Sequence, residues 1–196
     1  MRFTQRRSVR AKPLNALAAL GTAAHHAFER WAGVGVFLEP WLGRRRTNLL
    51  WGISMPIWIY RALTGREREE PMLAYGAGVA IAGSLVHFAD WPWSLRMGII
   101  PWLDEAEGLP PTQLAAYNVI LWAWMIGGVG SVVAETRREH LKLAAAGLAT
   151  APLLLISARH HFRWAREQAE RDPQSWSPYL LESGAHAHAP VAAAAL

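Results

Sequence analysis

The chain has 196 residues, 52% of them hydrophobic and 18% charged, with a net charge of +5 and a mean hydropathy of +0.07. It holds no cysteine, which excludes disulfides, thiolate metal sites and cysteine nucleophiles. Its length fits one domain, and its basic residues flank long apolar blocks, so a lipid bilayer is the expected partner and nucleic acid is not.

Residues 1–13 (MRFTQRRSVRAKP) read as a basic cytoplasmic arm, and the apolar block behind them is too long for a signal peptide. Segment one, 14–38, is long enough to cross a bilayer yet carries His25, His26, Glu29 and Arg30 near its middle. An Asp or Arg at a helix centre costs roughly 2.5–3.5 kcal/mol on insertion scales. This segment is therefore expected to turn a polar face inward, toward a cavity, a cofactor or partner helices. The basic residues divide more one-sidedly if it dips in and returns, so its path stays open.

Segment two, 49–63, follows a loop containing Arg44, Arg45 and Arg46, and Pro56 lies inside it. The GREREE stretch at 65–70 reads as a solvated turn. Segment three, 72–91, repeats small residues at helical spacing (Gly76, Ala80, Gly83) and closes on His87, Asp90 and Trp91. Residues 94–113 read as a connector, half at the interface and half in water. Segment four, 114–134, carries Asn118, Trp122 and Trp124 and stops at Glu135, for which an interfacial salt bridge is expected. Segment five, 141–158, with a kink at Pro152, runs into an amphipathic helix that begins with His160 and His161. The expected fold is thus all-α: a polytopic membrane helix bundle over 14–172, with about five apolar segments plus a C-terminal amphipathic helix. A flexible tail follows at 173–196, where His186 and His188 carry no functional weight. The expected location is the cell membrane, multi-pass, and homo-oligomerisation is left open.

Chemistry is expected first at segment one. On a helix Thr22, His25 and Glu29 share a face, with His26 and Arg30 on the neighbouring one. A His–Glu pair at i, i+4 can ligate a metal, or can hold a carboxyl group in a dry site as a proton donor. The alternative is polar glue between helices, its charge partly cancelled by Arg30. His87 and Asp90 share a face one turn apart. Of the adjacent His160 and His161, only one can face a given site, since neighbours on a helix point about 100° apart. Haem or a dinuclear metal centre would need two or more histidines at one depth. The first pair lies mid-segment and the others lie near segment ends, which speaks against it. Eleven tryptophans exceed what an interfacial belt needs. Trp58, Trp122 and Trp124, with Tyr60 and Asn118, are candidates for an aromatic-lined substrate pocket.

A buried acid (Glu29), a second acid (Asp90) and tryptophans within the spans resemble the small bacterial integral-membrane terpene cyclases of meroterpenoid and indole-sesquiterpene biosynthesis. The resemblance implies acid-catalysed cyclisation of an isoprenoid, a hydrophobic small molecule, without metal or cofactor. Glu29 would donate the proton, His25 or His26 would restore it, and Asp90 or His87 would take up the closing proton. Two other readings stay open: a haem- or metal-binding electron-transfer subunit using the histidines, and an accessory or transport subunit without catalysis.

Overall fold

The computed structural model describes residues 10–183. The first nine residues of the basic arm, and residues 184–196 of the tail, with His186 and His188, lie outside them. In chain order the elements are α1 (Pro13–Ala32), α2 (Glu39–Thr64), α3 (Glu70–Asp90), β1 (Trp93–Arg96), β2 (Ile100–Leu103), α4 (Pro111–Gly130), α5 (Leu141–Leu148), α6 (Ala151–Arg171) and α7 (Tyr179–Ser183). Among the described residues, three helical stretches are long and apolar enough to cross a membrane: Glu67–Asp90, Pro111–Glu135 and Arg138–Arg171. The expected five apolar segments reduce to these three. Two histidines, an acid and an arginine lower the hydropathy of α1, and three consecutive arginines do so in α2.

α1 is the central helix, with Asn15, Ala18, Thr22, His25 and Glu29 buried along it. Its amino end is held by the carboxylate of Glu135, which accepts from the backbone N–H of Leu14 and of Asn15, each at 2.8 Å. A carboxylate placed on unpaired N–H groups at the positive end of a helix is a cap, not the surface salt bridge expected for Glu135. The helix stops at Gly33, whose left-handed backbone (φ 77°) closes the last turn. Segment one therefore ends six residues early, and Glu39-Pro40 opens α2 instead of closing α1. The arginine triplet lies on α2, just past a bend at Gly43 (φ 73°, ψ 159°).

Small residues set how closely the helices pack. A Cβ on Gly127 of α4 would stand 2.4 Å from the backbone nitrogen of Ala18, and one on Gly78 of α3 would stand 2.0 Å from the carbonyl of Ala144 on α5. Backbones can approach this closely only without a side chain between them. Asn15 ties four helical stretches at once. Its amide donates to Leu73 O (3.0 Å) and Ser131 Oγ (2.7 Å), and its oxygen accepts from Trp58 Nε1 (2.7 Å).

Four further expectations are corrected. The connector after α3 is an antiparallel hairpin, β1 with β2, turning at Met97 and Gly98, which both have positive φ. Segment five is broken at Ala149–Thr150, and Pro152 sits in the first turn of α6, where its missing N–H is not needed. The 65–70 stretch is not merely solvated, since Glu70 is buried and pairs with Lys12 (3.2 Å) and Arg137 (2.9 Å). Residues after Asp172 stay folded against the body as far as Ser183: Leu180 is fully buried, and Ser177 Oγ donates to Gly108 O at 2.8 Å.

Candidate functional site

The polar residues of α1 meet α3 and α4 in one buried cluster. His25 Nε2 lies 2.9 Å from His87 Nε2, 3.0 Å from the Tyr117 hydroxyl and 3.2 Å from Glu29 Oε1. Tyr117 donates its hydroxyl to the same Glu29 oxygen at 3.2 Å. The objection from depth falls away here. His25 and Glu29 occupy the C-terminal half of α1 and His87 the last turn of α3, while Tyr117 lies in the first half of α4, so all stand at one level of the bundle.

Hydrogen bonding assigns the protons on two of these rings. His87 Nδ1 lies 2.7 Å from Gly83 O and His26 Nδ1 lies 2.8 Å from Thr22 O. A carbonyl only accepts, so each Nδ1 carries the hydrogen, and in the neutral ring each Nε2 presents a lone pair. His161 is the reverse: its Nε2 donates to Val34 O at 3.2 Å, and its Nδ1 has no partner among the described residues. His25 Nε2 thus faces a bare nitrogen, a carboxylate oxygen and a phenol oxygen at once. One proton cannot satisfy all three.

A cavity of about 140 Å³ adjoins the cluster, with His26, Trp51, Trp124 and His161 also on its wall. Trp124 lies 5.0 Å from the His25 ring and Trp51 lies 4.1 Å from the His26 ring. Arg30 makes no ion pair with Glu29 and acts on its charge only from a distance. It turns to the buried Glu39, with which it forms a short ion pair, and to Asn48 Oδ1 at 2.9 Å. Glu29 therefore has no arginine or lysine beside it among the described ion pairs.

The other sequence candidates lie elsewhere. Asp90 is exposed and paired with Arg159 at 2.7 Å, on the outer side of His87. Asn118 is buried and holds β2, accepting from Leu103 N–H (2.8 Å) and donating to Leu103 O (3.1 Å). Trp122 donates to Pro101 O at 2.8 Å on the same strand, and Trp58 is committed to Asn15. Tyr60 is 56% exposed. Of the adjacent pair on α6, His161 lines the cavity while His160 is exposed and packs on Trp41.

Tyr117 is the cluster member that sequence reasoning passed over in favour of its neighbour Asn118. The signal was present, since Tyr117 and Trp124 are seven residues apart and share a helix face. Near the opposite end of the bundle, a hydrogen bond to Glu67 and then the charge of Glu70 raise the pKa of Arg137 above its ordinary value.

No known protein family matches the chain. Neither a curated protein nor a solved structure is similar to it.

Proposed function

We propose that the chain is a multi-pass membrane protein that holds a first-row divalent metal ion, iron(II) or zinc, between His25, Glu29 and His87. The observation that carries this is the 2.9 Å approach of two imidazole nitrogens, the His87 one bare, beside a carboxylate that makes no ion pair with an arginine or lysine among the described residues. Two lone pairs so close need a proton or a cation between them. A buried carboxylate also calls for a compensating positive charge.

Two of the three spacings fit an ion. Neighbouring ligand atoms bound at about 2.1 Å stand roughly 3.0–3.4 Å apart, against 2.9 and 3.2 Å for His25 Nε2 to His87 Nε2 and to Glu29 Oε1. The three ligand atoms lie within 4.8 Å of one another, and binding one ion requires each pair to stand no further apart than about 4.2 Å, twice the bond length. The Nδ1–H of His87 on a backbone carbonyl is the outer contact that orients a metal-binding imidazole. Two histidines and one carboxylate form the set used by non-haem iron(II) sites, and they also suit zinc. Such an ion supplies Lewis-acid or redox chemistry to a lipophilic substrate. Haem is disfavoured, because two axial nitrogens on one iron stand about 4 Å apart, twice the usual bond length.

Acid-catalysed cyclisation of an isoprenoid is the second reading. It draws on the Tyr117–Glu29 hydrogen bond as a proton source, with Trp124 and Trp51 on the cavity wall. It stands second because 140 Å³ is well below the roughly 300–1,000 Å³ of drug-sized ligand sites.

Metal analysis of the detergent-purified full chain separates the two. The metal reading expects close to one ion per chain, lost in Glu29→Gln and His87→Ala and retained in Asp90→Asn. A metal-free wild type that converts a prenylated substrate, and stops doing so as Glu29→Gln, would establish the cyclase instead.

A further inference from the structure

We infer that the open cleft outside His87 receives the phosphate head of an amphiphilic substrate whose adjoining part reaches the His25–Glu29–His87 cluster. This names a substrate class for the site proposed above and rests on that cluster being the reactive centre.

The cleft has a volume of about 520 Å³, within the range of small-molecule sites. It shares Val86, His87, Ala158 and Phe162 with the inner cavity, so the two spaces are separated by a wall one side chain thick. Their linings differ in kind. The inner cavity adds Val79, Leu154 and Trp124 to its polar cluster, whereas the cleft carries three arginines, Arg159, Arg163 and Arg166, against two acids, Asp90 and Glu107. An apolar chamber behind a mouth with one arginine in excess of its acids suits a molecule with an anionic head and an apolar remainder.

The three arginines stand at i, i+4 and i+7 on one face of α6. Arg159 is paired with Asp90 and Arg166 with Glu107, while Arg163 is exposed and has no ion-pair partner among the described residues. The Asp90–Arg159 pair is itself exposed, so opening it for a bound anion costs little. A phosphate monoester carries close to two charges and three acceptor oxygens. Its extra charge and third oxygen let it engage more than one guanidinium more strongly than a carboxylate can.

Position ties the cleft to the cluster. Asp90 follows His87 by three residues, a rise of about 4.5 Å along the helix. Just before Arg159, α6 passes through the apolar run 153–158, in which Leu153 and Ile156 are each 65% exposed. The arginines thus begin where the apolar surface ends, the level at which lipid phosphates lie. A head held there sets the next bonds of the substrate against His87.

The test uses the full chain in phosphatidylcholine nanodiscs, with bound molecules counted by native mass spectrometry and affinities read by titration. The probes are 1-oleoyl lysophosphatidic acid, uncharged 1-monoolein and inorganic phosphate. Lysophosphatidic acid should bind once per chain, about tenfold or more tighter than monoolein, and Arg163→Glu should remove that advantage. Arg171→Glu, on the same helix outside the cleft, should leave it unchanged. Equal binding of monoolein, equal losses in both arginine variants, or inorganic phosphate binding as tightly as the lipid would each overturn the inference. Metal content is measured on the same samples. A chain that holds metal but ignores the phosphate sinks only this inference, and one that prefers the phosphate but holds no metal sinks only the reading of the cluster.

Discussion

His25 and His87, 62 residues apart in the chain, meet with their Nε2 atoms 2.9 Å from each other. Each is held from behind, His87 by its hydrogen bond to Gly83 O and His25 by the wall of Tyr117 and Trp124 rings. Neither ring can turn away without breaking a buried contact. The juxtaposition is therefore a property of the bundle and not of two mobile side chains.

Removing a ligand should have a larger effect than removing its support. Changing an outer-shell partner costs about 10–100-fold in metal affinity. Glu29→Gln keeps the shape of the side chain but removes the charge, so its loss should exceed that range. Competition with a chromophoric chelator reads the affinity directly. Unchanged metal affinity in this variant would remove Glu29 from the ligand set.

Tyr117→Phe takes away one hydroxyl that touches both Glu29 and His25. We expect metal affinity to drop by about tenfold while the fold persists, since Tyr117 positions the carboxylate. A cobalt-loaded sample should show an altered ligand-field spectrum. If the variant matches wild type in both, the hydroxyl does not orient the site.

Saturating metal should also stabilise the folded chain. At 100 times the dissociation constant, binding to the native state alone adds about 2.7 kcal/mol. Thermal unfolding in detergent, followed by circular dichroism, should shift upward for wild type and not for His87→Ala. An equal shift in both would place the bound ion elsewhere.

Asn118→Ala should harm the fold and spare the site. The substitution leaves Leu103 N–H and C=O without their buried partner and leaves β2 tied to α4 by the Trp122 hydrogen bond alone among the side-chain bonds described. Orphaned buried polar groups cost about 1–3 kcal/mol each, so a loss on the order of 2–5 kcal/mol is expected. Metal stoichiometry in the surviving folded fraction should remain near that of wild type. Loss of metal at unchanged stability would instead restore Asn118 to the functional site.

Asp90→Asn supplies the contrast on the surface. Its partner Arg159 is solvent-exposed, and exposed ion pairs contribute about 0–1 kcal/mol. Stability and metal content should both stay near wild type. A variant that loses its metal would join Asp90 to the cluster despite its outward placement.

Periodicity in the sequence was enough to put His25 and Glu29 on one helix face and to mark that face as turned inward, because ionised groups are too costly against lipid. Hydropathy marked about five apolar segments, of which three are long and apolar enough to cross a membrane among the described residues. It could not decide which polar residue of α4 joined the cluster. Tyr117 and Asn118 are adjacent and both fully buried, and only the packing of α1 on α4 sends one to the site and the other to the hairpin. Nor could it supply the partner of Glu135, 121 residues away at the start of α1. Local pattern records which face of an element must be buried. Which faces then meet, and at what depth, depends on where glycines such as Gly127 and Gly78 let two backbones touch, and that is settled only when the helices pack.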